Sequence, residues 1–321
     1  MAVVVGLAVL CVLGVLGVGY MLMDVGLPTL VAGGILLVAV GRYTGLASWL
    51  LLWMYGLVAA CGLETWLWKD VYDLLLLLYP SPDWKMLNHG YAGSSETGYT
   101  IELSPTEEFE RYSYQLYHHI GTGFHEFRHF KNLDVMEVGC GRGGGLAFLC
   151  KYMPPASALG VDIVPRAISF CKRLYKDPNL QFIVGNAESL PVASKSKDLI
   201  IDIASSHCYG NFARYLAEVY RVLRQNGRFF IADFRPRGEI ASWENELKAS
   251  GLEIEGMENI SEEVEKALKF DSLRREKLIR TAVGSTLSGV LRELAGIRSS
   301  AFYKRLERRD IHYIAFKLIK P

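Results

Sequence analysis

Five glycines fall within seven residues at Gly139-Cys140-Gly141-Arg142-Gly143-Gly144-Gly145, directly after the apolar run Leu133–Val138. Packing explains one such glycine. Five at this spacing predict a loop that lets a ligand approach the backbone, with the unpaired amides of the following helix facing it. Gly139, Gly141 and Gly144 also satisfy the dinucleotide GxGxxG expression, so the pattern by itself selects no particular nucleotide. Asp162 stands 21 residues beyond Gly141, where a carboxylate can accept hydrogen bonds from two ribose hydroxyls. His207, in Ser205-Ser206-His207-Cys208-Tyr209, supplies an imidazole that titrates near neutrality. Three roles suit it: removing a proton from a hydroxyl, orienting such a group, or structural support.

These residues need elements to bring them together. Leu133–Val138, Ala158–Asp162, Gln181–Val184, Asp198–Ala204 and Arg228–Phe234 read as strands. Helical patterns from Leu146, over Pro165–Tyr175 and over Phe212–Leu223 alternate with them. The alternation predicts a doubly wound, mostly parallel α/β sheet whose ligands lie beyond the carboxyl ends of the strands. Glu137, the glycine loop, Asp162, the Asn186 segment and His207 then share one rim. Upstream, Ser104-Pro105-Thr106-Glu107 has the form of a capping box and predicts a helix over 105–120. Downstream, Ala241–Ala249, Ser261–Leu268, Ser272–Ala282 and Leu287–Ile297 read as helices and Leu252–Ile254 as a short extended piece. Ala301–Leu306 and Ile311–Leu318 predict a terminal antiparallel hairpin.

In order and spacing, residues 104–235 resemble a class I S-adenosylmethionine-dependent methyltransferase, which implies a seven-stranded sheet and S-adenosyl-L-methionine as cofactor. The resemblance implies that Glu137, Gly139, Gly141 and Gly143 surround the methionine part. Asp162 would hold the ribose, Ile163 would flank the adenine, and Asn186 and Ala187 would address its edge. Many relatives carry aspartate where this chain has Asn186, and a neutral amide makes a weaker contact there. Glu137–Gly145, Ser206-His207-Cys208-Tyr209, Leu216–Arg224 and Ala232-Asp233-Phe234-Arg235-Pro236 resemble the phthiotriol/phenolphthiotriol dimycocerosate methyltransferase group. Sterol methyltransferases are similar at greater distance. The resemblance implies O-methylation of a lipophilic small molecule such as a phenol, quinol, sterol-like alcohol or isoprenoid, with His207 as catalytic candidate. Tyr209 would help shape the pocket, while Asp233 would either orient the acceptor or form an internal salt bridge. Competing readings are a C- or N-methyltransferase of a membrane lipid, an NAD-dependent oxidoreductase and a catalytically inactive membrane scaffold.

The chain has 321 residues, 35 Lys+Arg against 34 Asp+Glu, and a formal net charge of +1, which disfavours nucleic acid as a partner. Residues 1–63 carry only Asp24 and Arg42 as formal charges. Three apolar stretches there, Met1–Met23, Val25–Gly41 and Tyr43–Leu63, predict a transmembrane helical region of two or three spans. That reading makes the bilayer a partner and the chain an integral membrane protein. Its catalytic domain would be cytosolic and, in a eukaryotic cell, at the endoplasmic reticulum. Residues 64–103 form a junction, with Val71–Tyr79 as an interfacial helix and Asp83–Tyr91 as either a lid or a passive connector. Residues 104–321 hold the methyltransferase domain, its acceptor-site helices near 240–297. Within 262–310, 12 Lys/Arg against eight Asp/Glu suit an anionic membrane surface or ordinary solvated helix faces. His125-Glu126-Phe127-Arg128-His129 matches HExxH, but a glycine-flanked polar turn without a third ligand favours no metal site. The six cysteines show no CxxC and read as packed side chains in reducing surroundings.

Overall fold

Unbroken apolar runs become central strands because helices cover both faces of a parallel sheet and leave neither face to water. The structure, a computed structural model, describes residues 64–78, 81, 84–93, 101–126, 129–282 and 288–321. Five strands lie in the Rossmann-like half: β1 (Asp134–Val138), β2 (Ser157–Asp162), β3 (Leu180–Val184), β4 (Lys197–Ile203) and β5 (Leu223–Pro236). They run parallel to their neighbours. Two more, β6 (Glu253–Asn259) and β7 (Ile311–Ile319), complete a seven-stranded sheet in the order β3-β2-β1-β4-β5-β7-β6. β7 lies antiparallel between β5 and β6.

The strand order reverses between β1 and β4, which opens a crevice at their carboxyl ends. Neighbouring strand residues point to opposite faces, so each central strand contributes to two cores. On one face Val135, Ile201 and Phe230 pack with Leu116 and Ile120 of α2 (Arg111–Gly121) and Leu146 and Leu149 of α3 (Gly144–Tyr152). On the other, Met136, Ile200 and Phe229 meet Leu216 and Val219 of α5 (Phe212–Val222) and Trp243 and Leu247 of α6 (Ile240–Ala249). α4 (Pro165–Leu174) begins on Pro165, whose fixed φ suits a first helical position. Asn211 caps α5 by accepting the Arg214 amide at 2.9 Å.

Several expectations change. The terminal hairpin does not form: Ala301–Glu307 is a helix (α9), and β7 pairs with β5 and β6 instead. Ser300 caps that helix through the Tyr303 amide at 3.0 Å, and the buried residues Tyr303 and Leu306 follow helical rather than alternating spacing. The capping-box side chains do meet, since Glu107 accepts from the Ser104 amide at 3.0 Å, yet residues 108–110 form a tight turn and α2 starts only at Arg111. Ser261–Ala282 is one continuous helix (α7), followed by α8 (Ser288–Leu294).

The expected transmembrane helical region is corrected as part of the fold. No helix of the described residues is long and apolar enough to cross a membrane, and the three stretches that carried the expectation lie outside them. α7 has 22 residues, enough to span, but its charges exclude it. The bilayer as partner, the integral-membrane localisation and the endoplasmic-reticulum placement rested on those stretches and are withdrawn with them. The interfacial helix is corrected too. Helix α1 (Glu64–Leu78) buries Leu75 against Trp84, Ile279 and Leu291, and Leu76 against Val164 and Ala167 of α4. Leu75 and Leu76 are taken up by the domain itself, while Leu77 stays exposed.

Candidate active site

The glycine loop links β1 to α3. Gly139, Gly141 and Gly143 all have positive φ (+70°, +51° and +72°), a region that side chains disfavour. At Gly139 a Cβ would also stand 2.4 Å from Ser205, so the approach of the β1 and β4 loops demands glycine. At Gly141 a Cβ would meet only Leu87 Cδ1 at 3.5 Å. Arg142 in the same loop turns away from the solvent side: its guanidinium is buried and donates to the carbonyls of Ser81 (3.0 Å) and Trp84 (2.8 Å). It thereby ties the upstream segment to the loop.

A cleft partly open to solvent runs from the loop across the strand ends. Gly139, Gly141, Asp162, Ile163, Asn186 and Ala187 line it, so six of the predicted cofactor residues converge on one space. Asp162 accepts the Gly141 amide at 2.8 Å on one oxygen and the Val164 amide at 2.9 Å on the other. Burial raises its pKa and the two amides oppose that rise. Ile163 packs near Leu76, Val164 and Ala167. Asn186 Oδ1 accepts the Glu188 amide at 2.9 Å in a local turn.

Glu137, Gly143 and His207 are placed differently. None belongs to the cleft lining. Gly143 opens α3 and abuts Phe182 and Cys171. The Glu137 carboxyl is buried beneath the rim, where burial pushes it up to about 8, and it accepts the Tyr117 hydroxyl at 2.6 Å. Tyr117 is the residue that reaches the cleft. Its ring explains Gly145, where a Cβ would overlap it at 1.9 Å.

The opposite wall follows β4. Asp202, fully buried and pushed up to about 6 by burial, accepts Ser205 Oγ at 2.6 Å and the Tyr209 hydroxyl at 3.0 Å. One step further, His207 Nδ1 lies 2.9 Å from Asp233 Oδ1. Asp233 is 0% exposed and also accepts the His207 amide (2.8 Å) and Ser206 Oγ (2.6 Å). Burial alone would raise Asp233; His207 and Arg235 outweigh it and hold the carboxyl far below the usual range. Burial alone would lower His207, and the Asp233 carboxylate more than reverses this, holding the imidazole well above its ordinary value. An ionised carboxylate only accepts, so Nδ1 carries the hydrogen and Nε2 is the basic atom of the neutral ring. Ser205, Cys208 and Tyr209 line the cleft, as does Trp68, whose ring meets the His207 imidazole edge-on at 6.1 Å.

Helix α1 covers the cleft, a role that sequence reasoning assigned only to residues further on. Thr65 donates to Glu188 at 2.9 Å and accepts the Gly210 amide at 2.7 Å, while Arg166 pairs with Asp73 at 3.1 Å. Trp68 and Tyr72 face inward. Asp83–Tyr91 also contributes, through Leu87 and Asn88. The uncharged stretch before Glu64 and the leucines after it drew attention to membranes instead of to this cap. His125 and His129 do not share a helical face: Thr122–Glu126 is a turn, His125 has φ +75°, and its Nε2 lies 3.1 Å from His119 Nδ1.

Comparison with known proteins decides among the readings of this rim. A family model described as "Methyltransferase domain" matches residues 129–280. The phthiotriol/phenolphthiotriol dimycocerosates methyltransferase of Mycobacterium tuberculosis is 32% identical over 246 residues, 77% of this chain and 89% of the relative. The chain belongs to the phthiotriol/phenolphthiotriol dimycocerosates methyltransferase family. It is a class I S-adenosylmethionine-dependent methyltransferase. A fatty-acid O-methyltransferase of Mycolicibacterium smegmatis is also 32% identical, over 79% of this chain and 89% of its own length. Geranyl diphosphate C-methyltransferase from Streptomyces coelicolor shares the fold at a TM-score of 0.53 and 14% identity, covering 73% of this chain and 90% of that one.

The residues present fit the cofactor of this family. The space beside Gly141 would be filled by any side chain there. Each Asp162 oxygen accepts one amide and keeps a second acceptor position for a hydroxyl. The cleft is predominantly apolar with a few polar groups converging on it, as in small-molecule sites.

Proposed function

We propose that this methyltransferase transfers the methyl group to an oxygen of a lipophilic small molecule, with His207 as general base. S-adenosylmethionine supplies the electrophilic methyl on its sulfonium. The chain's own contribution is to orient the acceptor and to take its proton. Asp162, Ile163, Asn186 and Ala187 hold the nucleoside end, and the Gly139–Gly143 loop holds the amino-acid end. Asp162 accepts from ribose, and the helix α3 amides face the opposite charge of a carboxylate. Tyr117, braced by Glu137, and Tyr209, braced by Asp202, line the space between.

The observation that carries the reading is the His207–Asp233 pair. Asp233 fixes the tautomer, leaves Nε2 to receive a proton and stabilises the imidazolium that results, the division of labour known from hydrolase triads. An alcohol or phenol needs such a base. The names of the relatives point the same way, since phthiotriols, phenolphthiotriols and fatty acids are lipophilic molecules with oxygen acceptors. We place the catalytic domain at 104–321 with α1 as its cap, and the helices of 240–297 as support for the acceptor wall through Arg275 and Gly296, which hold His89.

Labelled S-adenosylmethionine, recombinant protein and a panel of lipid alcohols, phenols and fatty acids test this, with products identified by mass spectrometry. A product heavier by one methylene is expected. His207→Ala should slow transfer to alcohols and phenols by ~10²-fold or more while leaving S-adenosylhomocysteine affinity intact. Undiminished turnover in that variant rejects the base assignment. Transfer only to nitrogen or carbon rejects O-methylation.

A further inference from the structure

Among the buried polar atoms that have no hydrogen-bond partner in the described residues, two lie in one ring cluster beside His207: His89 Nδ1 and the Tyr313 hydroxyl. The residues are 6% and 0% exposed. Phe234 joins them to the base. Its ring lies 4.4 Å from His207, 5.8 Å from His89 and 6.4 Å from Tyr313, and His89 lies 6.0 Å from Tyr313. Phe234 and Tyr313 are also register partners across β5 and β7. All of these residues stand on the rim at which β1, β4 and β5 end.

His89 is held in place rather than left over. It stacks on Phe302 at 4.2 Å and 11°. Its Cδ2 edge faces Gly296, where a Cβ would stand 3.0 Å away, so Nδ1 occupies the opposite edge of the ring. Arg275 of α7, itself buried, donates to the carbonyl of Asn88 at 3.1 Å and to that of Ala295 at 2.9 Å. Those two carbonyls immediately precede His89 and Gly296, so one guanidinium fixes both sides of the contact. Asn88 lines the cleft, which brings the histidine's own backbone to its edge. Burial, with Arg275 and His207 adding to it, lowers His89 to about 3, so the ring is neutral. Burial and the Asp233 carboxylate hold the Tyr313 hydroxyl well above its ordinary value, so it keeps its proton.

Buried polar atoms are rarely left unpaired, because each forfeits its bonds to water without replacement. Here one group can accept or donate and the other is a hydroxyl. Their rings lie 5.8 and 6.4 Å, centroid to centroid, from the Phe234 ring that packs on the base, behind the residues that line the cleft.

We infer that His89 and Tyr313 form a second polar contact point for the acceptor, and that the preferred acceptor is a lipophilic molecule carrying two oxygens a few bonds apart. One oxygen meets His207 and is methylated; the other hydrogen-bonds to His89 and Tyr313. A diol, a catechol or a hydroxy acid has this arrangement. The inference rests on the O-methyltransfer reading above and adds the requirement for the second oxygen.

Two matched probe pairs test it on the intact chain: 4-dodecylcatechol against 4-dodecylphenol, and dodecane-1,3-diol against dodecan-1-ol. Binding of each probe to the complex with S-adenosylhomocysteine is measured beside methyl transfer. Wild type should favour the two-oxygen member of at least one pair by about tenfold or more, because a site built to hydrogen-bond a hydroxyl discriminates against its absence. The pair that shows the preference tells an aromatic from an aliphatic acceptor. Tyr313→Phe and His89→Phe, which keep the rings and remove the unpartnered atoms, should bring that ratio close to one. Neither should lower the melting temperature, since each removes an unsatisfied buried group. Equal or absent binding of both members of each pair overturns the inference, as do variants that lose both members in proportion or that are destabilised. Preferential binding of the two-oxygen probe without transfer to either oxygen counts against the O-methyltransfer reading and leaves the contact point standing.

Discussion

The two sides of the cleft are built in different ways. The cofactor side comes from consecutive βα turns: Gly139–Gly143 after β1, Asp162 and Ile163 after β2, Asn186 and Ala187 after β3. Each group lies within a few residues of the strand end that presents it, and in the proposed reading backbone amides would do much of the binding. The proposed acceptor side joins Trp68 and Tyr72 of α1, which line the cleft, to a layer packed behind the lining: His89 of an irregular segment, His207 after β4, Asp233 and Phe234 of β5, Phe302 of α9 and Tyr313 of β7. Rings and buried charges replace backbone amides there. The comparison teaches that a nucleotide-type cofactor can be held by short motifs, whereas an oily acceptor needs a desolvated wall that only distant segments can supply.

The comparison can be broken most decisively at Asp162. Asp162→Ala removes the proposed ribose acceptor and frees the Gly141 and Val164 amides together. The affinity for S-adenosylhomocysteine should fall by about 100-fold, given ~1.5–3 kcal/mol for a hydrogen bond to a charged group. Calorimetric titration that finds affinity within threefold of wild type would show that the loop does not depend on this carboxylate. Gly139→Ala attacks the same side through sterics, since the residue needs φ +70° and Ser205 stands 2.4 Å from the added carbon. A loss of about 2–3 kcal/mol of stability is expected. Unchanged denaturant midpoints would mean that the β1 and β4 loops can move apart freely.

The acceptor side is sharpened by pH. His207 has a raised pKa, so its neutral, proton-accepting form gains population only above the ordinary value of 6.5. The rate with a neutral alcohol or phenol should rise with pH through a midpoint above that value. Asp233→Asn removes the main raising cause, so the midpoint should move down, by about one unit for each 1.4 kcal/mol of lost interaction. A midpoint that stays put in the variant assigns the titration to another group. Linkage gives the stability counterpart. Because the folded-state value is raised, the pairing stabilises the fold fully below pH 6.5, and that contribution is lost as pH rises through the folded-state value. The smallest effect lies away from both walls. Asn211→Ala uncaps α5 and should cost about 1 kcal/mol, read as a modest drop in melting temperature with cofactor affinity retained.

Much of the cofactor side was legible because its signals are local. Gly139, Gly141, Asp162, Ile163, Asn186 and Ala187 were all singled out, and all line the cleft. Glu137 was singled out as well, yet its carboxyl lies beneath the rim behind Tyr117, a residue that fell only within the helix expected over 105–120. His207 was visible as chemistry, and Asp233 only as one of two equal alternatives. No pattern in the chain says that the two meet across 26 residues. Tyr313 and His89 gave no signal, because a tyrosine in an apolar strand and a histidine in an aperiodic stretch look like packing.

By itself, the amino-acid sequence determined the alternation of β and α units, the glycine turn and the acidic strand end, hence a doubly wound sheet with a nucleotide-type rim. Those features depend on φ, on hydrophobic period and on spacing within one supersecondary unit, all of which are short-range. Tertiary structure alone decided that α1 caps the cleft, that β7 enters between β5 and β6, and that Asp233 charges His207. It also decided which apolar side chains are consumed inside the domain, as Leu75 and Leu76 are. The reason is that burial and long-range hydrogen bonding belong to the packed chain, where a residue's partner is set by the whole fold and not by its neighbours in sequence.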